Sequence, residues 1–383
     1  MTVSGGIRPS RLRSVLAAVL AVLILVPAAL LFTQVWQQNA DQHADTDLKL
    51  KGVEYLAALS PLVSALTEAQ SSALQEAETP PAALPAAVTH MASVDQRLGE
   101  DLRTRERWIN LRESIARLAS VKGEKSRVFQ AHVEVSSLAL ALARTVADTS
   151  TLSRDPDNDV SHLQQAAAID VLDTVVQVSR MGDLSRAVAN IRGSATERAQ
   201  SQAILLPQFG AAVSQVNSDV AALTDDLQAA VDDTASVTLS GSLVSTVDAF
   251  RRGVEEFIRY ASPNATVSGT GRPNQAALPT AQSQLQMSLA SLSGVLVREL
   301  NGLLEARQDR LDQQRIETVA LAGALLLLVL TVAFLALTSR PRFPAAPTRD
   351  ETPAEPFPHS RLGPPPPYGE TGHDLRERTG AVR

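Results

Sequence analysis

Arg103, Arg105, Arg107, Trp108 and Arg112 crowd one short stretch of the chain. Arginines beside an aromatic ring are the equipment for clamping an anionic group with paired hydrogen bonds. Glu106 and Glu113 share the stretch, so a solvated, salt-bridged helix face is the competing reading. Thr149 and Ser150, like Pro61, mark points where a helix could become irregular and open a polar pocket, although a structural kink explains them equally. Arg105, Trp108, Arg112, Thr149 and Ser150 are therefore the candidate ligand-binding residues, for a small anionic or organic molecule.

Other patterns exclude chemistry. Asp155, Asp157 and Asp159 alternate as calcium ligands do, but an EF-hand loop starting at Asp155 needs Gly at its sixth position and Glu at its twelfth. Val160 and Ala166 stand there, which leaves a turn with capping side chains. Gly269-Thr270-Gly271 has neither a strand before it nor a helix start after it, so it is a loop and no phosphate cradle. The six histidines are scattered. The chain has no cysteine, which removes disulfides, thiolate zinc sites and a Cys nucleophile together. No catalytic, metal or cofactor residue is expected, and the chain reads as non-enzymatic. A net charge of −6 without any basic stripe argues against nucleic acid as a partner.

Two apolar runs govern the architecture. Residues 14–39 and 318–339 contain no charge, and each supplies the roughly 20 helical residues that cross about 30 Å of hydrocarbon. Pro27 lies in the first, where a membrane helix tolerates a kink. Arg8, Arg11 and Arg13 precede the first run, and Arg340 and Arg342 follow the second, so both termini read as cytoplasmic. The expected division is 1–13 cytoplasmic, 14–36 membrane, 37–316 outside, 317–339 membrane, and 340–383 a cytoplasmic tail. Removing the +3 of the first segment and the +1 of the tail from −6 leaves about −10 for the middle. A cleaved signal peptide, cut near Val26-Pro27-Ala28, is the alternative for the first run. The apolar stretch continues to Phe32, which fits an anchor better.

Between the runs, apolar residues recur at helical 3-4 spacing. Leu56, Leu59, Val63 and Leu66 continue the helix that leaves the membrane. Met91, Val94, Leu98, Leu102 and Ile109 suggest one long helix over 86–119. Val128, Ala131, Val135, Leu138 and Leu142 form the next, and Ile169, Leu172 and Val175 one that loosens around Gly182 and Gly193. Val213, Val216, Val220, Leu223, Leu227 and Ala230 give the cleanest stripe. Val247, Phe250, Val254 and Phe257 follow, then Leu285, Leu289, Leu292, Leu296, Leu300 and Leu303, running unbroken into the second apolar run. Strand signals are missing. The fold class is all-α: an antiparallel helical bundle of about seven helices, divisible into two stacked four-helix bundles, between two membrane helices. Residues 341–383 hold ten of the 21 prolines and predict a disordered, polyproline-rich tail.

Two segments carry a family resemblance. Gly52-Val53-Glu54-Tyr55-Leu56-Ala57-Ala58-Leu59-Ser60-Pro61-Leu62 resembles the opening helix "G-L-x-Y-L-x-A-L-x-P-L" of a bacterial sensor region. Val146-Ala147-Asp148-Thr149-Ser150-Thr151-Leu152, with Asp155-Pro156-Asp157-Asn158-Asp159 after it, is similar to that region's "V-x-D-x-S-x-L-x-x-D-P-D-x-D". The region is the helical extracytoplasmic sensor of methyl-accepting chemotaxis proteins and related transmembrane sensors, and the likeness covers roughly residues 11–340. Departures are clear: Glu68-Ala69-Gln70 stand where the family has His-Arg-Gly, and Ser161 and His162 where it has paired tyrosines. Family members continue into a linker helix and a signalling domain, in place of which this chain has its proline-rich segment. The resemblance implies a membrane-anchored binding module without an output domain of its own. Its partners would be the bilayer, a small ligand, a second copy of itself, and a membrane or cytoplasmic signalling protein. A structural or scaffolding envelope protein with a partner-recruiting tail is the alternative.

Overall fold

The computed structural model describes residues 9–77, 81–152, 158–233, 237–261 and 276–338. Residues 155–157 of the aspartate-rich stretch, the Gly269-Thr270-Gly271 loop and the proline-rich tail lie outside the described residues, while Asn158 and Asp159, expected in a turn, open a helix. Among those described there is no strand. The helices are α1 (Pro9–Leu74), α2 (Ala83–Leu98), α3 (Arg105–Leu118), α4 (Lys125–Thr149), α5 (Asn158–Gln165), a π-helical turn (Ala166–Asp170), α6 (Val171–Ala189), α7 (Ala195–Asp233), α8 (Val237–Ala261) and α9 (Leu278–Thr338).

The 66-residue α1 is unbroken through Pro27 and Pro61, as is the 61-residue α9. At 1.5 Å per residue they are rods of about 90–100 Å. They pack antiparallel: Ser60 Oγ lies 3.2 Å from Ser293 Oγ, and Asn39 Nδ2 donates to the Leu311 carbonyl at 3.2 Å. Beyond the bundle α9 continues as bare apolar surface through Leu321, Leu327, Leu330 and Phe334. Among the described residues it is the one helix long and apolar enough to cross a membrane, with mean hydropathy 2.6 over a stretch that is nowhere buried.

The remaining helices form two four-helix units. In one, α2, α3 and α4 pack with the outer half of α1; in the other, the α5–α6 segment, α7, α8 and α9 close a ring. The units lie flank to flank, joined where α1 meets α6 and α9, and they share one apolar core from Val53 to Leu304. The two units are side by side along α1, whereas the sequence suggested a stacked pair. Alternating helix direction brings the ends of α1, α6 and α8 and the starts of α4, α7 and α9 to the pole farthest from the apolar ends.

Sequence periodicity placed most of the core. Leu56, Leu59, Leu223, Leu227, Phe250, Phe257, Leu289 and Leu296 are all buried. It failed where a turn is built from side chains. The helix expected over 86–119 is broken into α2 and α3 at Gly99–Thr104. The Asp95 carboxylate accepts from Tyr55 Oη at 2.8 Å and Thr104 Oγ1 at 2.7 Å, Leu102 is fully buried, and Arg103 takes φ 53°. These contacts compensate the lost helical hydrogen bonds. With the break, α3 buries Trp108, Leu111 and Ile115, and Ile109 turns to solvent. On α4 the buried stripe passes through Val135, Ala139, Leu142 and Val146 and leaves Leu138 exposed. The loosening expected near Gly182 occurs a few turns earlier, as the π-turn; Gly182 sits in regular helix beneath Gln282. Gly193, at φ 116°, serves the link from α6 to α7, a conformation that a side chain would strain.

Candidate functional site

A candidate site lies at the pole away from the apolar ends. A cleft of about 850 Å³ opens there between the end of α1, the start of α4, the end of α6 and the first turns of α7. That is within the size range of small-molecule sites. Phe129, Leu184, Ile204 and Leu205 provide apolar walls; Lys125, Arg186 and Arg192 bring positive charge, with Glu124, Asp183 and Asn190 alongside.

Beneath the cleft lies a buried polar network. Asp183 is 4% exposed, and its carboxylate accepts from Gln70 Nε2 at 2.7 Å and Ser71 Oγ at 2.9 Å, both on α1. Arg186, one turn on, pairs with Asp183 and donates through Nη1 to Gln282 Oε1 of α9 at 2.8 Å. Its Nη2 also reaches Ser71 Oγ at 3.3 Å. One ion pair on α6 therefore ties α1 to α9. A buried pair persists only when its remaining lone pairs and protons are satisfied, and here they are. Gly182 makes room for it, since a Cβ there would fall 2.6 Å from Gln282 Oε1. At the cleft rim Lys125 Nζ donates to the Leu74 carbonyl at 3.0 Å and pairs with Glu76 at 3.2 Å.

The candidate residues read from the sequence lie elsewhere. Trp108 is 3% exposed and is the largest member of the buried face of α3, so its ring packs in the core. Arg105 is exposed and reaches Glu100 at 3.4 Å, and Arg112 is also exposed. Neither arginine lines the polar cleft, and the indole between them faces inward, because α3 has only one apolar face and needs its ring there. Ser150 is fully buried where α4 ends, and its Oγ donates to the Val146 carbonyl at 2.6 Å. It fills the space that a side chain at Gly52 would need. Thr149 is half-buried beside it. Pro61 lines a shallower groove of about 650 Å³ between α1 and α9, with Ser60, Ser64, Met287, Ser293 and Gly294.

The sequence reading missed the cleft because its members come from four helices. Its one local signal was Gln70, which carries the apolar stripe Leu59-Val63-Leu66 on by one more step. A polar residue on a buried stripe demands partners. Asp183 and Arg186 have the helical i, i+3 spacing of a pair, which many solvated faces share.

A second polar cluster lies at the other end of α6. His162 Nδ1 is 2.8 Å from Asp226 Oδ1, Gln165 Nε2 donates to Asp170 Oδ1 at 3.1 Å, and Arg144 Nη2 holds both oxygens of Asp173 at 2.7 and 3.0 Å. Burial and the neighbouring Asp226 push the Asp170 carboxyl up to about 7. On α4, burial draws His132 down to about 4.

Compared with known proteins, the chain matches no family model, no curated sequence and no solved structure.

Proposed function

We propose that this protein is a membrane-anchored sensor-like module that takes a small organic anion in the polar cleft and passes the event to the membrane through α1 and α9. The observation that carries this reading is the Asp183–Arg186 pair: it borders the cleft and is hydrogen-bonded to both membrane-directed rods. A ligand carboxylate that engages Arg186 competes with Gln282 and Ser71 for the guanidinium. Occupancy then changes how α6 holds α9 relative to α1. Ligands shift such an equilibrium only through a difference in contacts between two states, and this exchange of partners supplies one.

The cleft faces away from the membrane in this reading, with two spans, residues 37–316 outside and both termini in the cytoplasm. Two observations support it. Val22, Leu23, Ile24 and Leu31 are exposed on α1 much as Leu326, Leu327 and Leu330 are on α9. Where these surfaces end, Trp36 stacks on Phe32 and Arg315 sits 5.2 Å from the Trp36 ring, the aromatic and basic pairing suited to a membrane–water boundary. The long rods also offer a surface to a second copy, as the resemblance to chemotaxis sensors implies, and the end of α9 would contact a signalling partner.

Thermal melting of the full chain in lipid nanodiscs, against a panel of small aliphatic and aromatic carboxylates and amino acids, tests the reading. A ligand at about 100 times its Kd adds about 2.7 kcal/mol to the folded state, a clear rise in Tm. Arg192→Ala, on an exposed side chain, should leave the unliganded Tm unchanged and remove most of that rise. If no compound stabilises the protein, or the rise survives both Arg192→Ala and Lys125→Ala, the cleft is not the binding site and the scaffolding reading gains.

A further inference from the structure

The cluster around the π-turn has a role that the polar cleft does not use. Asp170 closes the π-turn; it is 8% exposed, and its Oδ2 is buried without a donor. Its carboxyl group lies against that of Asp226 on α7. Wide turns of this kind interrupt the helical hydrogen-bond ladder and recur at functional positions. Two carboxylates in contact, one buried and the other half-buried, repel when both ionise, whereas one proton between them makes a charge-assisted hydrogen bond.

Among the described residues, no cation acts on Asp170 itself. From α5, His162 engages the far side of Asp226, and Gln165 donates to the other oxygen of Asp170. From α6, Asp173 adds negative charge, and its cation, Arg144 of α4, is held on both its oxygens. From α7, Asp219 adds a further carboxylate near Asp173 and Arg144. α9 also packs on the turn, and among the described residues it places no charge that acts on Asp170.

We propose that Asp170 and Asp226 form a proton-binding site that fastens α7 to the π-turn and releases it when the proton leaves. The seam is then a pH-responsive joint, separate from the polar cleft. The sign follows from the raised Asp170: its carboxyl binds the proton more tightly folded than unfolded. Its stabilising contribution is complete below the ordinary carboxyl value of 3.8 and is lost as pH rises through about 7. His132, drawn down to about 4, titrates below the upper part of that window and has the opposite sign.

The test uses the full chain in nanodiscs, with infrared titration and hydrogen exchange at about pH 5 and about pH 9. The expected infrared result is the carbonyl band of a protonated carboxylic acid that persists toward neutral pH and is missing from Asp170→Asn. Exchange in residues 161–170 and in the facing part of α7, normalised to the unstructured rate, should rise several-fold between the two conditions. Asp170→Asn supplies a permanent donor and should keep the seam protected at both. Asp226→Asn is the second variant, should the first fold poorly, and should also remove the pH-dependent rise. His162→Asn should retain it. A band unchanged in Asp170→Asn, or a rise that persists in both carboxylate variants, overturns the proposal, as does loss of the rise in His162→Asn alone.

Discussion

Gly52 and Ser150 show how a residue that attracts a functional reading can be held by packing alone. α1 and α4 approach so closely that a Cβ on Gly52 would lie 2.4 Å from Ser150 Oγ and 2.5 Å from its Cβ. Ser150 is consequently small, buried and bonded to its own helix. Gly52→Ala should destabilise the protein by about 1–3 kcal/mol, the usual cost of overpacking, as measured by chemical denaturation. Ser150→Gly should recover part of that loss in the double variant, because the two sites share one space. Additive effects would show that the helices separate there and that the contact is loose. The adjoining Thr151 adopts φ 58° and donates through Oγ1 to Asp45 at 2.6 Å, so the end of α4 is fastened back to α1. A β-branched residue at positive φ is strained, and this hydrogen bond is its visible compensation.

At the scale of elements, α1 and α9 are the parts through which a signal would travel, and their register is open to direct measurement. Ser60 and Ser293 face one another with oxygens 3.2 Å apart in a chain without cysteines. Ser60→Cys with Ser293→Cys should form an intrachain disulfide under mild oxidation, read as a mobility shift or by mass spectrometry. Ser60→Cys with Ser288→Cys should not, being offset by more than a helical turn. Equal yields from both pairs would mean that the rods slide past one another. These rods were the most legible part of the sequence. Unbroken leucine spacing from Leu285 to Leu300 and the uncharged run after it admit little except one long helix. The α2–α3 turn was illegible for the opposite reason. No proline marks it, and its determinants, Tyr55 on α1 and the buried Asp95, act through contacts distant in sequence. The polar network beneath the cleft was hidden in the same way, since Asp183, Arg186 and Gln282 each look ordinary within their own helix and only Gln70 interrupts an apolar stripe. What periodicity reveals is which face is buried; which buried polar groups meet is decided by helices that pack from elsewhere in the chain.

For the whole molecule, two fused four-helix units carry α1 and α9 as rods from the cleft at the far pole to the exposed apolar ends, and the proposed reading sets both of those ends in a membrane. The side-by-side fusion matters, because α1 belongs to one unit and α9 to the other, while Asp183 and Arg186 on α6 bridge them. In the proposed reading, a change at the pole therefore acts on the relation between the two rods. The central claim is that the cleft is outside the membrane and open to a ligand, and Ser201, which lines the cleft on α7, can report on both parts at once. Ser201→Cys, the sole thiol in the chain, would be exposed on intact cells to a membrane-impermeant maleimide, with and without the compound that raises Tm most. The account predicts rapid labelling on intact cells and marked protection by that compound. Labelling that appears only after lysis, or labelling that the compound does not slow, would contradict it.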